Sequence, residues 1–597
     1  MDCISCQIKW TSVIHAMQVI ELDPSSHRGY EGKHAALHGM GRYSEAFEAF
    51  RMMFSKLEQS ADPPIRGKLL CQHRRQQRFD WLCTELRHQY VDATATIRNL
   101  VQQTVCHMPR VLVDTITGRL YDKTQQAAAF EELPIYDELR SSMTSHLDRA
   151  RIQIEVKEFY RYVMFSHRWE DGEPLFQSVQ NISIYDLESS SPNIKLQTLC
   201  KLVRSLGFQW VWSDTCCIDK KDNVVLQESL VAMFTWYRGS SLTIVYLRGV
   251  WSQSRQPGDL WRSIWNTRAW TYQEYVAAVI VQFYTEDWEP YLGLDVFNHK
   301  ESPAIISEME QASGVSAQEL AVLRPGLERV REKLFLASKR RTTLVEDIAY
   351  SLLGIFNVAI PVIYGEGNRS VGRLLEHVLT GSGDVMILAW TGRAGSYNSC
   401  LPIDLTVYDQ LVPPHIPQPI ETTEMDSLVR ALHSSLPDLS LAVTLHGQLN
   451  KLPSPFVAAS RLRLAGIVFP VTELVRTSES LADPDPHVYR ATTATFGDVE
   501  IKTTDDLSGM EDCVLMHPWI SPLLDQDFSR RAAGIDDTTR ALRLVARLMQ
   551  PFGALLLTPL SRVQYRRVAT DSLIMVRVPE ETSLNELIDG ICAIDIQ

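Results

Sequence analysis

Between residues 159 and 285 short apolar runs alternate with stretches whose apolar residues recur every three or four positions. That alternation constrains the fold more than any other feature of the chain. Tyr162-Val163-Met164-Phe165, Gln209-Trp210-Val211-Trp212-Ser213, Leu242-Thr243-Ile244-Val245-Tyr246-Leu247 and Val279-Ile280-Val281-Gln282-Phe283-Tyr284 read as strands. Leu196, Leu199, Cys200, Val203 and Leu206 mark one intervening helix, capped by Gly207. Leu226, Leu230, Met233, Phe234 and Tyr237 mark a second, stopped by Gly239, and a third is expected at about 268–278. Strands alternating with helices imply an α/β fold, a parallel sheet covered on both faces. Ligands of such sheets sit at the carboxyl ends of the strands. Three loops leave those ends: Ser166-His167-Arg168-Trp169, Asp214-Thr215-Cys216-Cys217-Ile218-Asp219, and Arg248 to near Arg268. They collect His, Arg, Trp, Asp and Cys, residue types that build a polar pocket with stacking surfaces.

The flanking regions read differently. Residues 1–65 are an α-helical repeat: Leu22-Asp23-Pro24 ends one helix pair, the next begins near Arg28, and Gly41, Tyr43, Ala46 and Phe50 fall at tetratricopeptide (TPR) spacing. Such repeats cannot bury their faces alone, so this region is either a partner-binding groove or a helical cap. Residues 66–109 form a helical linker ending at Pro109, and Arg74-Arg75-Gln76-Gln77-Arg78 is a solvated helix face. Val111 to Leu120 is a hairpin turning at Thr117-Gly118, and 124–158 is helical. Residues 286–390 continue in helices, including Leu344–Leu353 and about Ser370–Leu379. The proline-rich 412–419 is a linker. β runs at Leu439–Leu445, Leu462–Val471 and Ile574–Val578, with a helix at about Thr538–Leu548, make 391–597 a carboxy-terminal α+β domain without assignable chemistry.

At 597 residues the chain exceeds what one core serves, so roughly three or four domains are expected. A net charge of -13 opposes binding to phosphate backbones, so no nucleic-acid partner is expected. No apolar stretch reaches the roughly 18 residues of a membrane span, and residues 1–19 lack the pattern of a secretory signal. The 11 scattered cysteines read as reduced thiols of a cytoplasmic protein. Cys3 and Cys6 form one CxxC without a second pair, so no metal site is expected. Cys216 or Cys217 with His167 is either a thiol nucleophile pair or packing at a strand end. Gly365-Glu366-Gly367-Asn368-Arg369-Ser370 lacks the ending of a phosphate loop and reads as a glycine turn capping a helix.

Phe165-Ser166-His167-Arg168-Trp169, Trp212-Ser213-Asp214-Thr215-Cys216-Cys217-Ile218-Asp219 and Arg268-Ala269-Trp270-Thr271-Tyr272-Gln273-Glu274 resemble the three signature blocks of the fungal heterokaryon-incompatibility (HET) domain. Two later blocks match in order: Thr342-Thr343 with Glu346-Asp347-Ile348-Ala349-Tyr350-Ser351-Leu352-Leu353-Gly354, and Pro361-Val362-Ile363-Tyr364-Gly365-Glu366-Gly367. The resemblance spans roughly 110–390, with a core at 160–285 and a helical extension at 286–390. Its His-Arg-Trp and Asp-Thr-Cys-Cys-Ile-Asp forms look like those of mushroom-forming fungi. It implies a signalling or cell-death effector in fungal non-self recognition. Protein partners would bind through the TPR-like region or the carboxy-terminal domain, and the HET domain would self-associate.

HET domains have been compared with the TIR fold, a flavodoxin-like parallel sheet, some members of which hydrolyse NAD with a glutamate in Trp-x-x-x-Glu. Trp270 and Glu274 have that spacing, and i and i+4 share a helix face. On this enzyme reading NAD is the substrate, with no cofactor or metal, and Glu274 is catalytic. Ser166, His167, Arg168, Trp169, Asp214, Arg268 and Trp270 then bind the nucleotide: tryptophans stack the base and arginines take pyrophosphate. Two other readings stand beside it. One is a buried ion pair and core tryptophan that hold the helix on the sheet; the other is a non-catalytic scaffold.

Overall fold

The computed structural model describes residues 4–40, 42–59, 93–141, 149–253, 257–409, 422–477, 487–519, 536–561 and 564–597. The Arg74–Arg78 run, most of the 66–109 linker, the proline-rich 412–419 and Cys3 lie outside these residues. Two compact units divide the chain. One comprises residues 1–165, 169–225 and 239–243; the other comprises 166–168, 226–238 and 244–597.

The first unit begins with three helices, Ile4–Leu22, His27–Gly39 and Tyr43–Glu58. Asp23 and Pro24 end the first, and the Ser26 hydroxyl caps the second by accepting the Arg28 amide. Ala46 is buried in a small core with Val13, Leu37 and Ala49, as a close-approach position requires.

A hairpin follows, β1 (Val111–Asp114) and β2 (Arg119–Asp122), turning at Gly118 with φ 69°. The central sheet adds β3 (Tyr162–His167), β4 (Trp210–Trp212), β5 (Leu242–Tyr246) and β6 (Val281–Tyr284), in the order β2-β1-β4-β3-β5-β6. β3 and β4 run parallel, Tyr162 opposite Trp210. The hairpin joins the edge of β4 antiparallel, Val113 opposite Val211. The sheet is therefore mixed, where strand–helix alternation alone predicts a purely parallel one. The hairpin supplies a short two-residue-period ribbon that needs no crossover helix, so it can close the edge of β4 in the opposite sense. At the far side of β3, the Ser241 amide donates to the Tyr162 carbonyl at 3.0 Å, bringing the starts of β3 and β5 together. Trp210, Val211 and Trp212 are fully buried, with the Trp210 ring edge-on to Phe159 and Tyr121.

In the second unit the Leu247 amide donates to the Tyr284 carbonyl at 2.8 Å, joining the ends of β5 and β6. Helix Ala269–Ala277 precedes β6, and helices Pro303–Ser313, Val330–Ser338 and Arg369–Ser382 fill the extension. Leu344–Leu353 is not one helix but two short turns, Asp347–Tyr350 and Leu353–Phe356.

The carboxy-terminal part of this unit holds β7 (Phe456–Ala458), β8 (Arg461–Arg476), β9 (His487–Thr493), β10 (Gly497–Thr503), β11 (Val514–Pro518), β12 (Phe552–Ser561), β13 (Gln564–Arg567), β14 (Ile574–Val576) and β15 (Ile591–Ile596). β8 pairs with both β11 and β15, and β13 pairs with β15, so β8, β11, β12, β13 and β15 close into a ring without a free edge among them. Leu439–Leu445, expected as a strand, is part of helix Leu439–Leu449. Asp438 caps its start, and Ala442, Leu445 and Leu449 turn one face into the core at helical spacing, which outweighs the β-branched Val443 and Thr444.

Candidate functional site

In the second unit, Ser166 at the end of β3 meets the helix Ala269–Ala277. The Ser166 hydroxyl donates to the Glu274 carboxylate and accepts the Trp265 indole N–H at 2.8 Å. A serine hydroxyl has one proton and free lone pairs, so this relay fixes its donor direction towards Glu274. Glu274 is 6% exposed. Arg340, half-buried, donates to the Arg268 carbonyl at 3.0 Å and to Thr271 Oγ1 at 3.1 Å, with its guanidinium 5.1 Å from the Tyr272 ring centre. Burial pulls this guanidinium down to about 10, against attraction from Tyr272 and Glu274.

The start of the helix is clamped by an isolated bridge between Arg268 and Arg341, and its end by Lys300, which donates to the Tyr275 and Ala278 carbonyls at 2.7 Å each. Among the described residues, the fully buried Gln273 has neither amide atom hydrogen-bonded and the buried Tyr272 hydroxyl has no hydrogen-bond partner.

Trp270 does not lie in the Ser166–Glu274 pair. Its indole hydrogen-bonds to Asp347, which also accepts the Tyr364 hydroxyl at 2.9 Å. Burial raises the Asp347 carboxyl, and these two hydrogen bonds act against that. Beside it, the Glu346 carboxylate accepts the amides of Gly365 and Gly367, each at 2.9 Å. Its own amide and those two hold its carboxyl below the usual range. Both glycines have positive φ, 95° and 60°, so successive N–H groups converge as in an anion-binding nest. The nest is filled from within by Glu346, a stronger role for the loop than a simple helix cap. Tyr350 and Arg373 bind Glu366 on the same loop.

In the first unit, the Trp169 indole donates to Asp214 Oδ2 at 2.6 Å, and the Lys220 ammonium sits 3.3 Å from the centre of the Trp169 ring. Trp169 stays 42% exposed. Lys195, on helix Ser191–Ser205, is a buried cation held by Glu170 and Glu173 from the loop after β3. Cys216 and Cys217 are buried, their sulfurs 3.9 Å apart. The Cys217 contact and burial raise the Cys216 thiol well above its ordinary value, which keeps it protonated and favours packing over nucleophilic use.

Of the residues singled out from sequence, the fold thus joins Ser166 with Glu274 and Trp169 with Asp214, while Trp270 joins Asp347. Arg268 contributes backbone to the clamp, His167 is buried, and Arg168 is exposed. Arg340, Asp347, Glu346 and Lys220 were not singled out as site residues. Glu346 and Asp347 lie inside the fourth signature block, Arg340 stands two positions before it and Lys220 directly follows the second, so those blocks held the available signal.

Residues 162–259 match the model of the family described as heterokaryon incompatibility protein (HET). The chain is also similar to vegetative incompatibility protein HET-E-1 of Podospora anserina, 30% identical over 230 residues, which are 36% of this chain. The chain spans only 16% of that relative's length. No solved structure matches. The family match takes in β3, β4 and β5 with Ser166, Trp169 and Asp214, and supports a heterokaryon-incompatibility HET region in this chain.

Proposed function

We propose that this chain is a signalling or cell-death effector of fungal non-self recognition, of the type found in mushroom-forming fungi, whose HET domain has a TIR-like sheet. In this reading TPR-like residues 1–65 or the carboxy-terminal domain bind a protein partner, and the HET domain relays that event by self-association in the cytoplasm. The observation that carries it is the family match over β3, β4 and β5 of the central sheet. The test is induced expression of the full chain in a fungal host, with viable-cell counts. Wild type is expected to kill and Val211→Asp, which places a carboxylate in the fully buried β4, is expected to be silent. Undiminished viability with wild type in both compatible and incompatible hosts overturns the reading.

A second reading, NAD hydrolysis, is favoured by one observation: Ser166 holds the Glu274 carboxylate at the end of β3. Cleavage of the nicotinamide–ribose bond develops positive charge on the ribosyl ring, and a placed carboxylate stabilises it. Since Glu274 is 6% exposed, activation must first uncover it. Nicotinamide release by wild type but not by Glu274→Gln supports this reading; equal rates remove it. Killing that survives Glu274→Gln supports a non-catalytic scaffold.

A further inference from the structure

The first unit carries a shallow cleft, wide open to solvent, lined by the exposed Ile116, Lys201, Arg204 and Ser205 and the half-buried Tyr185. The hairpin register sets its place. Asp114 lies opposite Trp210, and Thr115 bonds through its amide to the Gln209 carbonyl at 2.8 Å and through its hydroxyl to the Phe208 carbonyl at 3.0 Å. The turn carrying Ile116 therefore sits at the amino end of β4, opposite the end that leads to Asp214.

Helix Ser191–Ser205 finishes at this same end, and its last turns present Lys201 and Arg204 three residues apart on one face. Among the described residues neither side chain enters an ion pair. Arg204 is close enough to Tyr185 to lower its hydroxyl's pKa, although burial dominates and leaves it raised to about 12. Cations in a last turn also complement the carbonyl end of a helix. That role requires neither a cleft nor an isoleucine left 51% exposed beside them.

We propose that this cleft binds a small organic phosphate, its dianion held by Lys201 and Arg204 and its planar or apolar body resting on Ile116 and the Tyr185 ring. The guanidinium offers a bidentate fork and the ammonium a compact charge, a pairing suited to one phosphate group. Two cations balance one phosphate dianion, whereas the net charge of -13 opposes a long polyanion.

The test is calorimetric titration of the full chain with AMP, adenosine and inorganic phosphate. AMP is expected to bind at least about tenfold more tightly than either fragment, and to weaken with added NaCl. The double variant Lys201→Gln/Arg204→Gln is expected to lose about tenfold or more in AMP affinity at an unchanged thermal midpoint. Should that variant fold poorly, Arg204→Lys, which keeps the charge and loses the fork, is expected to weaken AMP on its own. Ile116→Ser is expected to reduce AMP binding while leaving inorganic phosphate alone. AMP affinity unaltered by both the double variant and Arg204→Lys, no saturation by either phosphate, or adenosine binding as tightly as AMP overturns the proposal.

Discussion

His299 is 2% exposed, and its Nδ1 accepts the Phe283 amide at 3.1 Å, a bond only the neutral ring can make. Burial pulls its pKa down to about 4, with a hydrogen bond to the Leu294 backbone acting the other way. Between about pH 6.5 and 4 the unfolded chain binds a proton there that the folded chain does not, so stability falls as pH falls through that window. The loss approaches about 3 kcal/mol by pH 4. Urea midpoints at pH 7 and pH 4.5 should separate more for wild type than for His299→Gln; equal separations would contradict the assignment. The Ser166 hydroxyl bridges a buried indole and a buried carboxylate. Ser166→Ala removes one hydrogen bond from each and should cost about 1–3 kcal/mol in chemical denaturation, whereas loss of a solvated hydroxyl would cost almost nothing. At this scale the chemistry of the sequence was legible in part. Ser166 and Glu274 were visible as candidates, but their pairing across 108 positions was not.

Elements show where pattern suffices and where packing decides. Helix Asn223–Gly239 appears where apolar spacing from Leu226 to Tyr237 places it, and Gly239 ends it. Leu344–Leu353 carries a comparable apolar content but breaks into short turns. Glu346 and Asp347 are committed to the Gly365–Gly367 loop and to Tyr364 and Trp270, and those bonds fix the backbone locally. The next turn, Leu353–Phe356, depends on a close approach. A Cβ at Gly354 would meet the Phe234 Cβ at 2.2 Å and Cγ at 2.6 Å. Gly354→Ala should therefore destabilise the second unit by about 1–3 kcal/mol or more through overpacking, seen as a lowered thermal midpoint. A neutral effect would mean that Phe234 has room to move. The same competition explains Leu439–Leu449: an alternating apolar run suits a strand until a capping Asp438 and a core receiving every third or fourth residue make the helix better.

Across the molecule, a buried cation joins the extension to the carboxy-terminal ring, beside bonds from Gly392, Asn398 and Ser399. Arg567 in β13 donates to the carbonyls of Leu388 at 2.8 Å, Trp390 at 2.9 Å and Cys400 at 3.3 Å, and its guanidinium lies 3.9 Å from the Trp390 ring centre. Arg567→Ala removes three donors and the stacking partner, and should cost about 3 kcal/mol and expose 388–400 to limited proteolysis. Resistance equal to wild type would show that the segment is held otherwise, for example by Asn398, which donates to the Ser460 and Ile596 carbonyls. The order of strands and helices between 159 and 285, the hairpin and the signature blocks were determined by the chain's own pattern, because turn chemistry and apolar periodicity act over a few residues. The antiparallel seating of the hairpin on β4, the closure of the carboxy-terminal ring and the partners of Glu274, Asp347 and Glu346 were decided only by tertiary structure. Each depends on groups tens to hundreds of residues apart, where burial and the need to satisfy every buried polar atom outweigh local preference.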